Sequence, residues 1–253
     1  MISMRLKVQE SIEQVIENAD IILYVLDARF IAETRNPKIE ANIKDRGKKI
    51  IYVINKADLA GHINQNELNQ LPFNVLVSCD TRRGVNELRT KIKILSKQVK
   101  REQIFIGVIG YPNTGKSSVI NLVLGRKEIA KTSSESGFTK GVQKLKIAEN
   151  VYFLDSPGII PEDERFGSLL KLAQIGVKTY DKVDDPGLIV YELMKKYPGV
   201  FEKFYRIDAK GDSEKLIQEF GRKKGFLLKR YGVDEDRTAR AILKDWQKGH
   251  IKP

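Results

Sequence analysis

With 253 residues, a formal net charge of +12, a pI near 9.5 and one cysteine, the chain is long enough to bury a full core, and Cys79 alone excludes an intramolecular disulfide. The excess of 45 Lys and Arg over 33 Asp and Glu predicts attraction to a polyanion, of which nucleic acid is the commonest inside cells. The start, MISMRLKVQESIEQ, lacks an apolar run of signal-peptide length, and the longest apolar runs are strand-sized, so a soluble cytoplasmic protein is expected.

Ile12, Val15 and Ile16 recur at helical spacing over residues 8–18. IILYVLD, from Ile21, is continuously apolar and closes on a charge, as a strand buried on both faces does. Asp27 and Arg29 stand at its exit, where an open parallel sheet binds ligands. They fit a ligand role or a loop-fixing role. In RNPKIEANIKDRG, Pro37 can open a helix and Gly47 close it.

The strand KIIYVI leads into NKAD, Asn55 to Asp58. A carboxylate held at a strand end can accept two hydrogen bonds from the ring N–H and exocyclic amine of guanine, which adenine cannot offer, so Asp58 is expected to select the base. Asn55 would brace the loop, and the stem of Lys56 would cover the ring face. FNVLVS then delivers Ser78, Cys79 and Asp80, and the following stretch carries Val85, Leu88, Ile92, Leu95 and Val99 along one helical stripe. From Arg82 to Glu102 there are eight basic and two acidic residues, a surplus of +6, which fits a solvated outer face or an RNA contact.

IFIGVI precedes GYPNTGKSS, Gly110 to Ser118, in the order strand, glycine loop, helix that a phosphate cradle requires. Gly110 and Gly115 let backbone N–H groups face a di- or triphosphate, Lys116 supplies a cation, and Ser117 is placed to hold Mg2+. Thr139, in the polar stretch that follows, is a candidate second Mg2+ ligand. VYFLD ends in DSPG, where Asp155 can orient Mg2+ through water and the Gly158 N–H can approach a γ-phosphate.

From about Lys178 the pattern turns helical. Asp185 and Pro186 start one helix that Pro198 and Gly199 stop, another begins at Ser213, and Asp234 caps a last one whose Ala239, Ile242, Leu243 and Trp246 pack a core. From Lys215 to Pro253 eleven basic residues face five acidic ones, a surplus of +6. Arg222, Lys223, Lys224, Lys229 and Arg230, interleaved with Phe226 and Tyr231, fit an RNA backbone with unpaired bases, or an ordinary solvated surface.

GYPNTGKSS, SGFTK, DSPG, NKAD and SCD resemble the five motifs of GTPases, with the base-reading pair placed before the phosphate-reading trio, as in circularly permuted GTPases. VLDARFIAETRNP and GFLLKRYGVDEDRTARAILKDWQKGHI resemble the YlqF/RbgA-type branch, implicated in assembly of the large ribosomal subunit. The resemblance covers nearly the whole chain and implies an α/β P-loop GTPase domain, residues 1–177, with a mostly parallel six-stranded sheet. A small basic all-helical domain, residues 178–253, would bind RNA. One sheet edge would gather Asn55, Lys56, Asp58, Ser78, Cys79, Asn113, Thr114, Gly115, Lys116, Ser117, Ser118, Thr139, Asp155 and Gly158 around GTP or GDP.

It implies Mg2+ on Ser117, Thr139 and Asp155, K+ supported by Asn113, and hydrolysis of GTP assisted by Lys116, Thr139 and Gly158. The expected partners are the large-subunit precursor and its rRNA, with no membrane, no DNA and a monomeric chain. The sequence departs from the pattern at Thr114, Ser136, Phe138, Cys79 and Asp80, and Ile159 stands where many GTPases carry a water-positioning glutamine. No histidine precedes His62, so no catalytic base is named and slow intrinsic turnover is expected. The alternative is a nucleotide-dependent RNA-binding module with negligible hydrolysis.

Overall fold

The structure, a computed structural model, describes residues 12–125, 144–154, 169–229 and 232–253. The chain divides into two compact units, Met1–Asp58 with Ile63–Arg165, and Leu59–His62 with Phe166–Pro253.

The first unit is built on a six-stranded sheet ordered β3-β2-β1-β4-β6-β5. Its strands are β1 (Ile21–Asp27), β2 (Lys49–Asn55), β3 (Asn74–Leu76), β4 (Ile104–Ile109), β5 (Lys144–Ala148) and β6 (Val151–Leu154). All neighbours run parallel except β5 on β6. Every residue of β1 is buried, as its unbroken apolar run requires of a strand covered on both faces.

Ile21, Leu23 and Val25 share a core with Val53, Ile106 and Val108, with Leu88 and Ile92 of α5 (Val85–Gln98), and with Val119 and Val123 of α6 (Lys116–Leu124). On the other face the rings of Tyr24 and Tyr52 lie 6.0 Å apart. There a Cβ at Gly107 would stand 2.7 Å from Val15 Cγ1 and 3.0 Å from Ala19 Cβ, so α1 (12–18) and the turn after it lie close on the β4 backbone.

Two short helices, α2 (Ile31–Thr34) and α3 (Pro37–Asp45), join β1 to β2. As expected, Pro37 opens α3, and the Asn36 side chain caps it by accepting from the N–H groups of Lys38 and Ile39. α4 (Gln65–Asn69), an addition to the expected elements, is capped by Asn64. β3 is shorter than the stretch FNVLVS because the Ser78 N–H turns away to the Arg83 carbonyl.

The second unit is helical: α7 (Leu169–Gln174), α8 (Pro186–Lys196), α9 (Val200–Tyr205), α10 (Ser213–Lys224) and α11 (Glu235–Gln247). Asp185, Asp212 and Asp234 each cap the helix that follows with a carboxylate oxygen. Trp246 is fully buried at the centre, stacked on Phe201 at 5.4 Å and donating its Nε1–H to the Gln174 carbonyl at 3.0 Å. That bond ties α7 into this unit, ahead of the boundary at residue 178 read from the sequence. A two-stranded hairpin, β7 (Leu227–Leu228) with β8 (Gly232–Val233), stands where the basic segment carried no strand signal. Among the described residues no helix is long and apolar enough to cross a membrane.

Candidate functional site

Strand order reverses at β1: the chain steps outward to β2 and β3, then returns to place β4 on the other side of β1. Open parallel sheets bind ligands at the carboxyl ends of strands at such a point. NKAD leaves β2 there and the glycine loop leaves β4, both parallel to β1.

Side chains then join the two loops directly. Asn55, buried at the end of β2, donates its Nδ2–H to the Thr114 carbonyl at 2.8 Å, across 59 residues of sequence. Its Oδ1 accepts from Cys79 Sγ at 3.2 Å. One amide therefore holds the NKAD, GYPNTGKSS and SCD segments together. Gly115 makes this possible: its φ is 95°, in the left-handed region, and a Cβ there would fall 2.2 Å from Asn55 Nδ2. Gly110 is equally confined, with a φ of 148° and the Val25 carbonyl oxygen 2.3 Å from where a Cβ would stand.

The phosphate end is shaped by α6. Its first N–H groups have no intrahelical acceptors, no side chain caps them, and no acidic residue lies in the first turn. This leaves the positive end of the helix dipole to an anion. Ser117 and Ser118 are half-buried in that first turn. Buried Lys116 donates its ammonium back to the carbonyls of Gly110 at 2.9 Å and Tyr111 at 2.6 Å. Burial, and secondarily the charge of Lys56, pushes its pKa down to about 7. Thr114 Oγ1 donates to the Tyr111 carbonyl at 2.9 Å and closes the loop's inner turn. Asn113 is exposed at the loop tip with a left-handed φ of 63°.

At the base end, Asp58 is half-buried three residues beyond β2, and Lys56 adopts a left-handed φ of 61°. Buried Ser78 accepts from the Thr81 N–H at 3.1 Å, shaping the turn that presents Cys79. Burial pushes the Cys79 thiol up to about 12, with the charges of Asp80 and Asp58 adding to it. Thr139, Asp155 and Gly158 lie outside the described residues. Thr34, which the sequence reading passed over, is fully buried. Its Oγ1 accepts from the Asp27 N–H and donates to the Phe30 carbonyl, fixing the exit of β1.

These features fit a nucleotide's phosphates and base on one sheet edge. Among the described residues no group of three or more His, Cys, Asp or Glu could hold a metal ion. Fold and site thus define a P-loop nucleotide-binding protein in which the base-reading loop precedes the phosphate loop.

The model of a family described as 50S ribosome-binding GTPase matches residues 105–183. The uncharacterized GTP-binding protein MJ1464 of Methanocaldococcus jannaschii is 32% identical over 253 residues, covering 98% of this chain and 66% of that protein. Nucleolar GTP-binding protein 2 of Yarrowia lipolytica is 30% identical over 258 residues, and that of Saccharomyces cerevisiae 29% over 263, each covering 97% of this chain. The chain spans about half the length of these two relatives, 50% and 52%. Among solved structures, GNP-bound YlqF from Thermotoga maritima superposes with a TM-score of 0.67 at 20% identity, covering 96% of this chain and 94% of that one. The GDP-bound form gives 0.66 at 21%, covering 94% of both. The chain belongs to the circularly permuted GTP-binding proteins, with the fold of YlqF.

Proposed function

We propose that the chain binds GTP, hydrolyses it slowly to GDP and phosphate, and acts in the cytoplasm as a monomeric nucleotide switch in large ribosomal subunit assembly by binding rRNA. The observation that carries the nucleotide reading is the Asn55 amide, which links the base-reading loop to the Thr114 carbonyl of the phosphate loop. One nucleotide can therefore be gripped at both ends on a single edge.

In this reading Asp58 accepts from the ring N–H and amine of guanine, Asn55 braces the loop, Lys56 covers the ring, and Ser78 and Cys79 border it. The N–H groups of Gly115, Lys116, Ser117 and Ser118 take phosphate oxygens, and Lys116 exchanges its two carbonyls for them. Ser117, with Thr139 and Asp155, would hold Mg2+, and Asn113 would support K+. These ions supply positive charge where phosphoryl transfer concentrates negative charge. The Gly158 N–H would report the γ-phosphate. Because residue 159 is isoleucine, water positioning is left to groups outside DSPG, in keeping with slow turnover. The helical unit, with Arg222, Lys223, Lys224 and Lys229 exposed, supplies the cations for rRNA phosphates.

The test is phosphate release from GTP in K+ and in Na+, with and without pre-ribosomal particles. Release above the buffer rate, faster in K+, is expected. Absence of release in every arm, with binding retained, would leave only a nucleotide-dependent RNA-binding module. ATP competing as well as GTP, or Asp58→Asn failing to move preference from guanine toward xanthine, would overturn the base assignment.

A further inference from the structure

Asp27 and Arg29, at the exit of β1, have no part in the nucleotide contacts above, yet they form a buried ionic cluster against NKAD. Asp27 is 1% exposed and stands in register with Asn55, whose carbonyl accepts from the Ala28 N–H at 2.8 Å. Its carboxylate is saturated. Arg29 donates through Nε to Oδ1 at 3.0 Å and through Nη2 to Oδ2 at 2.8 Å, and Lys56 Nζ donates to Oδ2 at 2.8 Å. Burial would raise this carboxyl, but the bonds and charges of Arg29 and Lys56 outweigh it and hold Asp27 below the usual carboxylate range.

Resting on the guanine reading of NKAD, we propose that Asp27 is a positioning residue for base recognition, acting through the Lys56 ammonium. A lysine stem is the most flexible side chain that could cover a ring, and the freedom it loses on binding is subtracted from affinity. Anchoring its far end on a rigid strand terminus removes that loss before the nucleotide arrives. Arg29 makes the anchor durable, because a forked guanidinium pairs both carboxylate oxygens and keeps Asp27 charged with or without Lys56. The anchor also occupies the Lys56 cation, whose charge reaches the phosphate-loop lysine. The pairing therefore separates the two lysines into a base role and a phosphate role. A turn-shaping role alone needs only the Arg29 N–H accepted by Asp27 Oδ1 at 3.1 Å, which asparagine would preserve.

The experiment is a double-mutant cycle on the full chain, with Kd for a fluorescent GDP analogue measured for wild type, Asp27→Asn, Lys56→Met and the double variant, and thermal unfolding recorded for each. Asp27→Asn and Lys56→Met should each raise Kd about tenfold, and Asp27→Asn should add less than about twofold once Lys56 is Met. Equal effects of Asp27→Asn in both backgrounds, or single variants within about twofold of wild type, would overturn the proposal. If Asp27→Asn does not fold, Lys56→Met, which leaves Asp27 paired with Arg29, is the deciding variant: unchanged Kd overturns the proposal and a rise of about fivefold or more supports it. Wild type that fails to bind the GDP analogue would instead refute the guanine reading itself.

Discussion

Gly115→Ala is the sharpest perturbation of the site, because the two costs it imposes can be worked from the structure. The residue caps α6 at φ 95° and ψ 30°, where an L side chain costs about 1–2 kcal/mol. The new methyl would begin 2.2 Å from Asn55 Nδ2, so the amide must move by more than an ångström and release the Thr114 carbonyl, which it holds at 2.8 Å. Asn55 is only 2% exposed, and a buried amide left unpaired costs about 1–3 kcal/mol. The sum is about 2–5 kcal/mol, or roughly 4–20 °C in Tm for a unit of this size. Thermal unfolding followed by circular dichroism, with and without GDP, measures it. The GDP-induced rise in Tm should vanish along with the lost stability, since Asn55 serves both loops. A variant within about 1 °C of wild type, still stabilised by GDP, would refute the reasoning.

Three further outcomes follow from other parts of the molecule. Phosphates favour the charged form of Lys116, whose pKa is lowered to about 7 from an ordinary 10.5, so nucleotide binding between those values takes up a proton and weakens as pH rises. Calorimetry at pH 8.5 in buffers of different ionisation heat should show uptake approaching about one proton, falling toward zero near pH 6, and a pH-independent binding heat would exclude it. Cys79, held up to about 12, should resist alkylation by iodoacetamide at pH 8 in the folded protein and react fully in denaturant. Trp246→Phe keeps the stacking with Phe201 but removes the Nε1–H donated to the Gln174 carbonyl, and should cost about 1–3 kcal/mol in denaturant titration without altering GDP affinity.

Helix starts were the most legible part of the fold, because an N-cap is written in adjacent residues: Asn36–Pro37, Asp185–Pro186 and Asp234 all cap as their types require. The buried character of β1 was equally plain from its unbroken apolar run. What could not be read was anything set by pairing at a distance. Lys56 reaches Asp27 across 29 residues and Asn55 reaches Thr114 across 59, separations to which no spacing rule applies. β3 stops early because Ser78 finds a backbone partner in Arg83, a choice made by the turn between them. The β7–β8 hairpin is only two residues on each strand, too short for alternation to show. Phe226, read as a ring for stacking on bases, lies under the Arg237 guanidinium at 4.3 Å, a cross-element contact that composition does not reveal.

The place of β1 between β2 and β4 has a consequence for the newborn chain. Emerging from the exit tunnel in order, β1 can zip to β2 long before β4 appears, and until Ile109 is out the other flank of its apolar run, Ile21 to Leu26, is an open ladder. A nascent polypeptide paused between Asn55 and Ile104 presents a sticky rim to any neighbour, so codon-level slowing in that window should raise insoluble yield more than the same pause placed after Gly125.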